Sequence, residues 1–173
     1  MRFTNLFPGD YVPSAYTIDY EQLYKDGYRG IIYDIDNTLV GHNAPANDQA
    51  IELFRRLNAI GFKTCLLSNN QEPRVASFNE PIGTNYVYNA GKPSRKGYLE
   101  AIHRMGTTPD TTIFIGDQIF TDVWGANRSG IRSFMVKKLY FKEEPQIVLK
   151  RILEFFILIA YRIYKRGKHN DNT

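Results

Sequence analysis

The stretch Gly30-Ile31-Ile32-Tyr33-Asp34-Ile35-Asp36-Asn37-Thr38-Leu39 decides the fold of this chain. Its first four residues are a continuous apolar run that fits a strand buried on both faces, as in a parallel sheet. The run then delivers two carboxylates, Asp34 and Asp36, spaced i, i+2 at its exit. Such an anionic pair is costly unless a cation or a reacting group sits with it. The spacing points to a site where one Asp attacks, the other handles a proton, and a divalent metal holds both.

Outward from this stretch, strands alternate with helices. A helix is expected over 47–60, with Ile51, Phe54, Leu57 and Ile60 on one face and Gly61 as its stop. Residues 62–68 read as the second strand, 74–78 as a short helix and 86–88 as a weak strand. Ser94 is placed to cap a helix running to Met105, with Leu99 and Ile102 facing inward and Gly106 ending it. A strand over 112–116, a helix over 121–128 and a strand over 131–136 follow. The first thirty residues, rich in Tyr and Pro, read as an irregular arm with a short helix around 20–25. The alternation argues for a parallel α/β sheet, in which ligands bind beyond the carboxyl ends of the strands. The notable polar residues fall there: Asp34, Asp36, Ser68, Asn69 and Asp117.

The bulk numbers agree with one globular domain. The chain has 173 residues, 43% of them hydrophobic and 23% charged, and a net charge of +4. Its one cysteine, Cys65, lies in an apolar run and reads as a buried small hydrophobe. Residues 1–10 hold no apolar stretch of the ~7–15 residues a secretory leader needs. A cytoplasmic protein is therefore expected. His42, His103 and His169 lack ligand spacing, and surface or packing roles are expected for them.

Four polar clusters make a kit for phosphoryl transfer: the Asp pair, Ser68-Asn69-Asn70, Gly91-Lys92-Pro93, and Gly116-Asp117 with Asp122. A carboxylate attacking a phosphate dianion meets repulsion, so a metal ion and a cation are needed to screen it. Asp34, Asp36 and Asp117 can offer oxygens to Mg²⁺, which prefers octahedral oxygen coordination. Lys92 can neutralise nucleophile and phosphate, and the Ser68 hydroxyl can bind phosphoryl oxygens. Each cluster alone has a plainer reading, such as a turn, a helix cap or a solvated lysine. All four in order, each after an apolar run, are specific together.

The order Asp-x-Asp-x-Thr-Leu, Leu-Leu-Ser-Asn-Asn, Gly-Lys-Pro and Ile-Gly-Asp-Gln-x-x-Thr-Asp resembles the haloacid dehalogenase (HAD) superfamily of aspartate-dependent phosphatases. Within it, the chain is similar to the subfamily IIIA group related to phosphatidylglycerophosphatase. The resemblance covers roughly residues 30–136. It implies a three-layer α/β/α sandwich around a mainly parallel, Rossmann-like sheet. It implies Asp34 as nucleophile and metal ligand, and Asp36 as general acid/base that also offers a backbone carbonyl to the metal. Thr38 would position the loop, Ser68 and Asn69 bind phosphate, Lys92 stabilise the transition state, and Asp117 complete a Mg²⁺ site with Asp122 in support. The division expected is an arm over 1–29, a phosphatase core over 30–141, and a basic amphipathic helix and tail over 142–173.

Spacing bears on the substrate. The interval from 39 to 68 is filled by one helix and one strand, and about twenty residues separate Asn70 from Lys92. Neither leaves room for a substantial cap domain, so the site should be open and suit a phosphate presented on something large. The segment 147–164 is strongly apolar, with Lys150, Arg151, Glu154, Arg162 and Lys165 on one helical stripe. The charges interrupt any run near the ~20 residues of a transmembrane helix. The pattern fits an interfacial helix, giving peripheral membrane contact through 147–166. The alternative is a helix packed on the sheet or on a second subunit. Phosphatidylglycerophosphate, with its phosphomonoester at the membrane surface, is the substrate the resemblance implies. The competing readings are a phosphatase for a nucleotide, a sugar phosphate or a nucleic acid end, and a non-catalytic phosphate-binding adaptor. Few basic and aromatic residues stand near the site loops, which disfavours nucleic acid.

Overall fold

A computed structural model describes residues 3–139 and 145–170. Its strands are β1 (Asp10–Val12), β2 (Gly30–Tyr33), β3 (Lys63–Leu67), β4 (Asn85–Val87), β5 (Thr112–Gly116) and β6 (Arg132–Val136). They form one sheet in the order β1-β6-β5-β2-β3-β4, and every neighbouring pair is parallel. The helices are α1 (Tyr20–Lys25), α2 (Asp48–Ile60), α3 (Glu72–Asn79), α4 (Arg95–Met105), α5 (Trp124–Arg128) and α6 (Pro145–Asn170).

The apolar run of β2 lies in the middle, between β3 and β5. Its side chains alternate between two cores, as a period of two requires. Ile31 and Tyr33 join Phe54 and Leu57 of α2 with Val75 of α3. Ile32 joins Phe114 and the α4 residues Tyr98, Ala101, Ile102 and Met105 on the opposite face. Helices thus cover both faces, and the three-layer, mainly parallel sandwich expected from the sequence is the fold. Between residues 39 and 92 the chain spends its length on α2, β3, α3 and β4, with no separate cap among the described residues.

Helix limits follow local chemistry. The Asn47 side chain accepts from Ala50 N–H to start α2, and Gly61 at φ 111° ends it. A left-handed φ is the conformation glycine adopts without a Cβ penalty. The Ser94 side chain caps α4 as expected.

Four details depart from the sequence reading. The buried ridge of α2 is Ala50, Leu53, Phe54 and Leu57, whereas Ile51 and Ile60 are only half-buried. Leu99 of α4 is 42% exposed, because Tyr98, Ala101, Ile102 and Met105 form the i, i+3, i+4, i+7 ridge instead. The stretch expected as a helix over 121–128 is a π-helical turn, Ile119–Val123, followed by α5. The arm expected to be irregular contains β1, a three-residue edge strand on β6 too short to show an alternating pattern. The expected boundary at 141/142 lies outside the described residues.

Candidate active site

The site is assembled at the carboxyl ends of β2, β3 and β5. Asp34 N–H still donates to Ile115 O at 2.9 Å, which extends the ladder one residue past β2. The chain then turns tightly: Thr38, Leu39 and Val40 all donate to Ile35 O, and Asn37 takes a φ of 64°. This turn folds buried Thr38 back, so that its hydroxyl donates to Asp34 Oδ2 at 3.3 Å.

Past β3, the Ser68 hydroxyl oxygen accepts from Asn70 N–H at 3.1 Å. The Asn69 side chain grips the backbone of Lys92 at two points. Its Oδ1 accepts from Lys92 N–H at 2.7 Å, and its Nδ2 donates to Lys92 O at 3.3 Å. Lys92, buried despite its charge, donates from Nζ to Asp34 Oδ1 at 2.6 Å and to Asp122 Oδ1 at 2.8 Å.

Past β5, Gly116 allows Asp122 to approach the backbone; a Cβ there would stand 2.6 Å from Asp122 Oδ2. That oxygen accepts from Asp117 N–H at 3.2 Å and Gln118 N–H at 3.0 Å. The Tyr98 hydroxyl fixes the turn from α4 by donating to Thr121 O at 2.7 Å. On the other side, the Glu154 carboxylate of α6 accepts from Ile119 N–H at 2.7 Å.

Asp34, Asp117 and Asp122 are all buried, and each offers an oxygen within 4.8 Å of the others. Three negative charges against the one positive charge of Lys92 leave a formal charge of −2, which one divalent cation cancels. An all-oxygen donor set suits a hard ion such as Mg²⁺. Burial and these charges together set the protonation of the pair. Burial pushes the Asp34 carboxyl up to about 6; Lys92 opposes the shift and Asp122 adds to it. Burial pulls the Lys92 ammonium down, but Asp122 and Asp34 outweigh it and hold the group above its ordinary range.

A cavity of about 280 Å³ opens beside the cluster, lined by Asp34, Asp36, Ser68, Asn69 and Lys92 among the expected residues. Thr38, Asp117 and Asp122 are buried around it rather than lining it. Asp36 is held apart from the carboxylate cluster. Its Oδ1 accepts from Asn43 N–H at 2.7 Å and from Arg74 at 3.0 Å, and its Oδ2 accepts from Asn70 Nδ2 at 2.6 Å.

Arg74 and Asn70 were not among the residues singled out from sequence, and neither were Gln118, Thr121 and His42, which also line the cavity. Asn70, Gln118 and Thr121 sit inside the quoted motifs and carried a signal. Arg74 carried none, because a lone arginine on a short helix looks like any solvated charge. His42 shows that a residue lacking ligand spacing can still border a site.

The chain's likeness to known proteins agrees with this geometry. Residues 38–130 match the family described as haloacid dehalogenase-like hydrolase. The chain is 38% identical over 130 residues to "Probable phosphatase YqeG" of Bacillus subtilis (strain 168), covering 75% of this chain and 76% of that protein. It is 28% identical over 154 residues to "Phosphatidylglycerophosphate phosphatase 1, chloroplastic/mitochondrial" of Arabidopsis thaliana, covering 82% of this chain but 44% of that protein. Its fold resembles the cobalt-bound form of the deoxy-D-mannose-octulosonate 8-phosphate phosphatase YrbI of Haemophilus influenzae. The TM-score is 0.55 at 16% identity, over 79% of this chain and 90% of that one. The chain therefore belongs to the haloacid dehalogenase-like hydrolase family and is a phosphatase.

Proposed function

We propose that this phosphatase hydrolyses phosphomonoesters through an aspartyl-phosphate, and that its substrate is phosphatidylglycerophosphate at a membrane surface. The observation that carries the chemistry is Lys92 Nζ, held 2.6 Å from Asp34 and 2.8 Å from Asp122 beside the open cavity. Asp34 attacks phosphorus, the bond to the leaving oxygen breaks, and Asp36 gives that oxygen its proton. Asp36 then takes a proton from water as the water attacks the acyl phosphate, which returns Asp34 and releases inorganic phosphate.

Lys92 keeps the nucleophile and phosphoryl oxygens neutralised while Ser68 contacts the phosphate. Asn69 acts through its grip on Lys92, and Thr38 orients Asp34. Asp34, Asp117 and the Asp36 backbone carbonyl would hold Mg²⁺, with Asp122 in support. When bound, that ion supplies charge neutralisation to the transferring phosphoryl group.

Support for the lipid substrate is the motif resemblance to the subfamily IIIA group and the likeness to the Arabidopsis relative, together with a site that has no separate cap among the described residues. Of the described residues, 30–139 form the catalytic core, 3–29 pack on it, and the basic helix α6 contacts the membrane. The test is phosphate release, with phosphatidylglycerophosphate in mixed micelles set against nucleoside, sugar and oligonucleotide 5′-phosphates. Turnover of the lipid at least about tenfold faster in kcat/KM supports the reading. Faster turnover of a soluble ester overturns it.

A further inference from the structure

Helix α6 is mounted with its aromatic side outward. Glu154, Ile157 and Tyr161, spaced i, i+3, i+7, are its buried ridge. On the opposite side, Phe155, Ile159 and Ile163 follow one another at i, i+4, i+8, with Phe156 beside them. Phe155 is 61% exposed, Phe156 62% and Ile163 66%. A surface helix facing water carries polar residues on its outer side. This one carries large apolar groups there and has turned its acid inward onto Ile119 N–H.

We infer that this outer face of α6 is a docking surface for an anionic lipid bilayer. Two further observations select that occupant. The sequence of α6 holds Lys150, Arg151, Arg162, Lys165, Arg166 and Lys168 against a single acid, Glu154. Arg162, grouped with Glu154 on one stripe in the sequence reading, is instead exposed and with Arg166 falls on the apolar side, at i+7 and i+11 from Phe155. Apolar side chains interleaved with arginines match the acyl boundary and phosphate level of a bilayer. A second copy would set arginines against arginines, with the acid of α6 already buried. Among the described residues no helix is long and apolar enough to cross a membrane, so α6 lies on the surface.

The placement also serves the site. Glu154 grips the backbone of Ile119, whose neighbours Gln118 and Thr121 line the cavity. Helix α6 is thereby anchored to the turn that supplies part of the cavity lining. Any effect of docking on lipid turnover rests on the phospholipid reading above; vesicle binding does not.

The experiment is co-sedimentation of the full chain with phosphatidylcholine vesicles, with and without phosphatidylglycerol. Hydrolysis of p-nitrophenyl phosphate serves as the check on folding. The wild type should bind the anionic vesicles, less so at high salt. Phe155→Ser with Ile163→Ser, and Arg162→Glu with Arg166→Glu, should each weaken binding by roughly tenfold or more while p-nitrophenyl phosphate turnover is unchanged. Failure of the wild type to bind at low salt overturns the inference, and so does equal binding by the variants. A dimer that these variants split, without vesicle binding, overturns it in favour of a second copy. Vesicle binding with no lipid hydrolysis leaves the surface standing and removes the lipid substrate. Lipid hydrolysis in detergent without vesicle binding does the reverse.

Discussion

Arg74, on the first turn of α3, reaches the carboxylate of Asp36 at 3.0 Å and at the same time donates to Ala44 O at 2.8 Å. With Asn43 and Asn70 it fixes the orientation of the residue proposed to protonate the leaving group. Arg74→Met should lower turnover of an alkyl phosphomonoester by roughly 10–100-fold, part of the ~100–10,000-fold that general acid catalysis supplies, because Asp36 is kept but loses its orientation. Turnover of p-nitrophenyl phosphate, whose leaving group needs no proton, should fall far less. The ratio of the two rates is the measurement; equal losses would reduce Arg74 to a prop for the fold.

Mg²⁺ should raise thermal stability in a pH-dependent way. In the metal-free protein Asp34 titrates near 6, above its unfolded value, because burial favours the protonated acid. That contribution to stability is fully present below the unfolded value and is lost as pH rises through about 6. The proposed Mg²⁺ site uses this carboxylate in its ionised form, so stabilisation by the ion should be large near neutral pH and fade as pH falls through the same range. Scanning fluorimetry with and without Mg²⁺ across this window reads the effect. A Mg²⁺ shift independent of pH would place the ion away from Asp34.

Asp34→Asn should separate stability from activity. It removes the proposed nucleophile, so turnover should drop at least about ten-thousand-fold. It also lowers the buried charge excess, and the metal-free variant should be as stable as the wild type at neutral pH or more so. The upward shift of Asp34 sets the scale of that gain at about 2–3 kcal/mol at most, since Lys92 loses one partner. Urea unfolding without metal provides the comparison; a large loss of stability would mean that the Lys92 contact outweighs the repulsion.

The sheet and the polar clusters were legible because strand burial and motif order are written locally. Four apolar residues ending in Asp34 predict a central parallel strand, and β2 is one. The edge strand β1 was hidden because three residues are too few for a period. Leu99 and Ile51 were misplaced because helix phase depends on which neighbour arrives, and adjacent residues such as Tyr98 and Ala50 compete for the same face. Within the site, the gripping of Lys92 by Asn69 and of Asp36 by Arg74 spans 23 and 38 residues of sequence. Contacts of that range leave no mark on local pattern. The inward turn of Glu154 was equally invisible, since a helical wheel shows which residues share a face but not which face meets the core.

Gly116→Ala tests whether that local packing sets the chemistry. The added Cβ would stand 2.6 Å from Asp122 Oδ2 and 2.7 Å from its Cγ, well inside contact distance. Asp122 cannot simply swing away: it is buried, its Oδ2 accepts from the N–H groups of Asp117 and Gln118, and its Oδ1 holds Lys92. Displacing it therefore moves the backbone that presents Asp117 and loosens the lysine together. Overpacking of this kind costs about 1–3 kcal/mol in stability. Activity should fall mainly in kcat, because the lysine is proposed to act on the transition state and the proposed phosphate contact, Ser68, lies on a different loop. Unfolding in urea and kcat at saturating Mg²⁺ are the two measurements. An alanine variant with wild-type stability and kcat would show that Asp122 can be moved without disturbing Lys92 or Asp117.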